Sequence, residues 1–259
     1  MPEPRRLLVL SGGHPYEAGP FAELLASLDW EVTHLVHPEA ERVVADGALA
    51  EADVALFYDM PGYTFADGRV QTAPPSPGFI AAIRAHFASG KGAVAMHHAL
   101  AGWAEWPEWA EMLGGRFLYQ PGTVRGEDRL DSGYRHDVDY DAEVLVDHPV
   151  TAGLPATFPM SDELYLAQVY ADEVTSLVRA RHAFVRHNFY SAAQAVAGAM
   201  FSNDGWDHPP GSDLIAWTKP VGAGRLVYLQ PGDGPATYAN PHLRRLLANA
   251  LDYVTPREA

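Results

Sequence analysis

An α/β fold built on a mostly parallel sheet with helices on both faces is the architecture that this sequence of 259 residues predicts. Three observations predict it. Short, continuous apolar runs recur along the chain, helix-period patterns lie between them, and the composition is 47% hydrophobic and 20% charged, the balance of a globular protein. A strand buried on both faces reads as an unbroken apolar run, which is what a parallel sheet requires, and strands alternating with helices supply its crossovers.

The first run is Leu7-Leu8-Val9-Leu10, ended by Ser11-Gly12-Gly13. Val54-Ala55-Leu56-Phe57-Tyr58, Ala93-Val94-Ala95-Met96 and Leu226-Val227-Tyr228-Leu229 repeat the pattern. Phe79, Ile80, Ile83 and Phe87 share one face of a helix that Gly90 ends. The last helix is the clearest: Asn240 caps it, Pro241 takes its first position, and Leu243, Leu246, Leu247, Ala250, Leu251 and Val254 form its apolar stripe. The middle of the chain differs. From about 116 to 212 it reads as strands, hairpins and loops, with alternation in Val138-Asp139-Tyr140 and Val144-Leu145-Val146. No linker sets this stretch apart, so it is expected to be an insertion that adds strands to the main sheet of a single domain, 1–259. Within it, segment 188–212 reads as a long loop, and long loops inside compact domains are often functional.

Composition narrows the chemistry. There is no cysteine, which excludes disulfides, thiolate nucleophiles and Cys-ligated metals. A net charge of −15 with no basic cluster makes nucleic acid an unexpected partner. No stretch approaches the ~18 apolar residues of a membrane span, and the opening residues lack a long apolar leader, so a cytoplasmic location is expected. G-x-S-x-G, G-x-x-x-x-G-K-[ST] and H-E-x-x-H are all missing, and no G-x-G-x-x-G follows a strand, so no nucleotide cofactor is expected.

In open α/β sheets ligands bind beyond the carboxyl ends of the strands. Three polar clusters have that address. Ser11-Gly12-Gly13-His14 follows the first strand, where two glycines permit a tight turn that lifts His14 over the sheet edge; a plain turn with a surface histidine fits equally well. Met96-His97-His98-Ala99 runs from a strand into small residues, as a nucleophile elbow does. Either His97 or His98 would face the site, as a metal ligand or a proton-transfer group, while the other packs. Ser161-Asp162-Glu163-Leu164-Tyr165 brings adjacent carboxylates that a strand would point to opposite faces, leaving Glu163 as the site candidate and a solvated turn as the alternative. Trp103 and Trp106 could line a pocket and stack on a sugar, or belong to the core. The loop Asn203-Asp204-Gly205-Trp206-Asp207-His208 suits substrate recognition through Trp206 and His208, or is ordinary surface. Asp59 and Tyr63 lie just past a strand and complete the candidate binding residues.

Taken together, Leu7-Val9-Leu10-Ser11-Gly12-Gly13-His14, Gly90-Lys91-Gly92 leading to His97-His98, Asp162-Glu163-Leu164-Tyr165, and Gly224-Arg225-Leu226-Val227-Tyr228 with the Asn240-Pro241 helix resemble the ThuA-like, or trehalose utilisation, family across nearly the whole chain. The resemblance implies a flavodoxin-like fold similar to class I glutamine amidotransferases, whose elbow carries a cysteine. Here that position reads His97-His98, so amidotransferase chemistry is not expected. ThuA-like proteins often place Gly-His after the final strand; this chain has Gly232-Asp233-Gly234, which leaves no role assigned to that loop. The resemblance also implies catabolism of trehalose and related disaccharides or their keto forms, and so a small-molecule carbohydrate partner.

The resulting expectation is a carbohydrate-acting hydrolase or isomerase with His98, His97 and Glu163 as catalytic groups and Tyr165 beside them at the substrate. His14, His98 and Glu163 could hold a divalent metal such as zinc. Two rival readings are a non-catalytic relative that binds a sugar or partner, and a homo-oligomer with a structural role.

Overall fold

A computed structural model describes residues 4–256 of the chain. Met1–Glu3, part of the opening stretch read above, and the last three residues lie outside it. A ten-stranded sheet organises the described residues. Its parallel half runs, from the edge inward, Glu31–Val36, Arg6–Gly12, Val54–Asp59, Gly92–Met96 and Gly224–Leu229. That is the order 2-1-3-4-5 of flavodoxin-like folds, with its switch point between Arg6–Gly12 and Val54–Asp59. The three central runs read from the sequence are buried throughout, whereas the edge strand Glu31–Val36 is largely exposed. Alternate residues of each strand feed the two faces: Leu7 and Val9 join the core under the helices Ala18–Ala26 and Pro241–Val254, while Leu8 and Leu10 join the core under Pro77–Ala88 and Pro107–Leu113.

The other half is antiparallel. Leu214–Val221 pairs with Gly224–Leu229, and Thr175–Ala180, Gly133–Val144 and Thr157–Leu166 follow in that order to the far edge. The mid-chain insertion therefore extends the main sheet. Leu214–Val221 has no separate signal in the sequence reading, because its Trp217-Thr218-Lys219-Pro220 half looks like loop; hairpin pairing through Val221 and Gly224 makes it a strand. Val144 ends its strand, and Leu145 and Val146 are exposed beyond it. The segment expected to be loop after residue 188 contains a short helix, Ala192–Val196, capped by the Ser191 side chain.

Both helices read from apolar periodicity are present. Asn240 accepts from His242 N at 2.8 Å, and the six stripe residues of Pro241–Val254 are all buried. Ser76 caps Pro77–Ala88, which buries Phe79, Ile83 and Phe87. Such a cap stabilises a helix by about 1 kcal/mol.

Candidate functional site

Gly92–Met96 delivers its chain to the carboxyl edge of the sheet, and the next residue, His97, turns it sharply with φ 51°. Left-handed backbone at a non-glycine residue is strained and persists only where the surroundings fix it. Here the Tyr228 hydroxyl donates to His97 O at 2.8 Å, and the loop after the last strand closes against the ring: a Cβ on Gly232 would lie 3.1 Å from His97 Cβ. The two histidines part as an elbow requires. His97 is fully buried, while His98 lines a cavity of about 310 Å³.

Four donor side chains converge beneath that cavity, and two of them, His98 and Glu163, line it. His97 Nδ1 lies 2.9 Å from the Gln230 carbonyl, which makes Nδ1 the protonated nitrogen of the neutral ring and turns the Nε2 lone pair inward. Facing Nε2 are the Tyr165 hydroxyl at 2.9 Å, Glu163 Oε2 at 3.4 Å and Asp233 Oδ1 at 3.5 Å. The Tyr165 hydroxyl is also 3.2 Å from His98 Nδ1. One donor atom each from His97, His98, Glu163 and Asp233 lies within 4.8 Å of the others. Glu163 Oε2 is buried and has no hydrogen-bond partner.

Glu163 and Tyr165 come from one face of the strand Thr157–Leu166, and Asp162 from the other. Asp162 serves the site from below. Its carboxylate accepts from Gly232 N at 2.8 Å, Asp233 N at 3.1 Å and Thr237 Oγ1 at 2.8 Å, and so fixes the loop that presents Asp233. Burial holds Glu163 above the usual carboxylate range, against the pull of His97. Burial alone would lower His97, but the Asp233 contact and the charges of Glu163 and Asp162 outweigh it and leave the ring raised. His98 is pushed well below its ordinary value by burial and by His97, His14 and His136, so it stays neutral.

The family model for trehalose utilisation, ThuA, matches residues 6–254. The chain belongs to the ThuA family. Among solved structures, a ThuA-like protein of Parabacteroides merdae superposes with a TM-score of 0.68 at 13% identity, covering 98% of this chain and 90% of its own. A ThuA-like protein of Bacteroides uniformis gives 0.63 at 19%, covering 96% and 91%. PurLQS from Thermotoga maritima gives 0.54 at 13%, covering 97% and 99%, in line with a glutamine amidotransferase-like fold. No curated relative matches the chain by sequence. In this ThuA protein the elbow carries two imidazoles, His97 and His98.

The residues singled out in the sequence divide into two sets. His97, His98, Glu163 and Tyr165 are brought together, and His14 lies beside them, its ring centroid 4.4 Å from that of His98. As a metal ligand, however, His14 departs from the reading: its nitrogens face the Pro15 and Tyr58 carbonyls at 2.9 and 3.1 Å, and it stands outside the four converging donors. The remaining candidates lie elsewhere. Asp59 is buried against His37 Nε2 at 2.8 Å. Trp103 packs on Phe79 and His37, and Trp106 on Trp109, so both are core. Trp206 donates to Asp131 Oδ1 and stacks near His208, away from the cavity. Tyr63 donates to the Ala101 carbonyl and lines a second cavity of about 220 Å³ around Arg116, of which Tyr119 forms a shared wall.

Two members of the site escaped the sequence. Asp233 follows the last strand, and that address was its only signal. His136 sits on a bulge where the pairing of Gly133–Val144 shifts between Arg135 and Val138, with Asp137 at φ 54°; the bulge re-aims His136 so that Nδ1 comes 3.4 Å from Glu163 Oε1.

Proposed function

We propose that this ThuA protein is an enzyme of sugar catabolism that acts at or beside a carbonyl of a keto-sugar or glycoside, with a divalent ion, zinc foremost, held by His97, His98, Glu163 and Asp233. The observation that carries the reading is the spacing at His97 Nε2. Donors at about 2.0–2.2 Å from a tetrahedral zinc sit about 3.3–3.6 Å apart. The carboxylate oxygens at 3.4 and 3.5 Å from Nε2 have that spacing, which is long for a hydrogen bond, and Glu163 Oε2 lacks any other partner. Second-contact groups suit the role as well: the Gln230 carbonyl sets the His97 tautomer, and Asp162 fixes the loop of Asp233. When bound, the ion would supply Lewis-acid polarisation of a substrate carbonyl.

The protein's own groups supply the rest. With His98 committed to the ion, His136, 3.4 Å from Glu163 in the same cavity, is the imidazole left to take a proton from the carbon or hydroxyl next to that carbonyl. The same ring then hands that proton to the departing oxygen, so that the proton taken and the proton returned balance. The family name supports a sugar as the substrate, and the Phe117 and Tyr165 rings low in the cavity suit the apolar face of one pyranose ring.

Elemental analysis of the purified, tag-free protein tests the reading. Near-stoichiometric zinc is expected, reduced at least tenfold in His98→Ala and in Glu163→Gln. A wild-type protein that stays metal-free after incubation with zinc, manganese and magnesium would overturn the metal centre and leave the non-catalytic sugar-binding alternative.

A further inference from the structure

The walls of the cavity above the candidate centre differ in kind from its floor. Polar groups are confined to the bottom: His98, His136, Glu163 and Tyr165 present atoms there. Of the other polar rings, Tyr119 stands between Phe65 and Phe117 and adds a single hydroxyl on the side shared with the second cavity. His14 is turned to two backbone carbonyls, and the Tyr134 hydroxyl is taken by Phe201 N and Met200 Sδ. No Lys, Arg or Asp lines the cavity among the described residues. Upward, the wall is Phe65, Val196 and Met200, while Phe117 is buried against Tyr165 lower down.

The mouth is apolar and open to solvent. Phe65 is 44% exposed and Met200 51%, and the neighbouring Phe201 is 58% exposed. Phe201 is held there in a left-handed backbone conformation, φ 59°, with its ring against Tyr190 and near His136. Large apolar side chains gathered at the mouth of a pocket, one of them on strained backbone, mark a surface shaped for an apolar group.

A disaccharide fits such a cavity poorly. One sugar ring finds enough partners on the floor for its carbonyl and hydroxyls. A second ring would press several hydroxyls against Phe65, Val196 and Met200, where the one Tyr119 hydroxyl nearby cannot replace the hydrogen bonds they make in water. An aromatic or other apolar substituent would lose nothing there and would gain contact on several sides.

We infer that the ligand of this cavity is a glycoside or keto-glycoside whose aglycone is apolar, most simply an aryl group, with the sugar ring on the His98–Glu163 floor and the aglycone between Phe65 and Met200. The inference rests on the proposed function for the floor and adds the class of substrate.

Isothermal titration of the zinc-loaded protein with phenyl glucoside, the methyl glucoside of the same anomer, and trehalose tests it. Phenyl glucoside is expected to bind at least tenfold more tightly than methyl glucoside, and trehalose no better than methyl glucoside. In the double variant Phe65→Ser, Met200→Ser the preference for phenyl is expected to shrink below threefold, with methyl glucoside affinity and bound zinc unchanged. Both side chains are half-exposed, and the wild-type comparison decides the matter even if the variant folds poorly. Equal affinities, or trehalose binding tightest, would overturn the aglycone assignment and leave the sugar reading standing. Zinc binding with no glucoside binding would remove the sugar reading, and this inference with it. A dimer in sedimentation that the double variant splits, with the phenyl preference unchanged, would assign the mouth to a second copy of the chain instead.

Discussion

Two acidic side chains, Asp233 on a loop and Asp162 on the strand Thr157–Leu166, do different work at the elbow, and single substitutions separate them. Asp233 is partly exposed and offers its oxygen to the four-donor cluster, whereas Asp162 is buried and satisfies two backbone amides and the Thr237 hydroxyl. Asp233→Asn keeps the shape and leaves the loop's amides paired. Its folding stability should stay within about 0.5 kcal/mol of wild type, while zinc affinity falls at least tenfold. Asp162→Asn replaces an acceptor-only group by one that brings two donors of its own among buried donors. That should cost about 1–3 kcal/mol in urea unfolding and weaken zinc through the displaced loop. Calorimetric zinc titration beside urea denaturation distinguishes the two patterns; equal stability losses would mean that Asp162 does not position Asp233. Residue by residue, the legible part of the site was the part carried by local pattern. His97-His98 follows an apolar run, and Glu163 and Tyr165 alternate on a strand, so each announces its place. Asp233 was hidden because Gly232-Asp233-Gly234 resembles any turn. His136 was hidden because a bulge, which sequence does not mark, decides its direction.

At the scale of elements, the turns that carry the site are fixed by close approach of backbones more than by propensity. Gly13 shows it. Its φ is 82°, and a Cβ there would sit 2.2 Å from the Met60 carbonyl oxygen. Gly90, at the end of the helix Pro77–Ala88, has a similar φ of 86° with nothing within 4 Å of a Cβ. Gly90→Ala therefore meets only the left-handed backbone penalty, about 1–2 kcal/mol. Gly13→Ala must also push apart two loops at the sheet's switch point and should cost about 3 kcal/mol or more, with loss of His14 from its place beside His98. Urea midpoints of the two variants check this, and a Gly13→Ala no worse than Gly90→Ala would show that the loops yield freely. Sequence patterns identify both glycines as turn residues, but only the packing tells them apart. The same holds for Trp103 and Trp106: their spacing suits a binding wall, yet Trp103 packs on Phe79 and Trp106 on Trp109 of the helix Pro107–Leu113, as core.

Over the whole molecule, the parallel half of the sheet was legible because burial on both faces leaves unbroken apolar runs, and the antiparallel half much less so because half-exposed strands alternate with polar residues and resemble loop. Burial on this scale also captures histidines far from the elbow, and they contribute to the protein's response to acid. His86 lies within the helix Pro77–Ala88, with Nε2 2.9 Å from the Gly92 carbonyl and Nδ1 buried without a partner. Burial lowers its pKa from 6.5, and it lowers those of His34, on the edge strand, and His208 as well. A histidine lowered on folding is neutral in both states above the unfolded value, so it contributes no pH dependence there. Below about 6.5 the unfolded chain takes up protons that the folded chain refuses, and stability falls with pH until the lowered folded values are passed. The raised His97 and Glu163 add stability as pH falls from about 8 and act alike in wild type and variant, so the expected outcome is read as a difference: between pH 6.5 and 5 the lowered histidines pull the wild-type urea midpoint down. In His86→Gln, which can still donate to the Gly92 carbonyl but cannot charge, the drop should be shallower although the midpoint at pH 8 is lower. If the two proteins lose stability in parallel through that window, His86 is not among the groups that resist protonation, and the acid response belongs to the carboxylates.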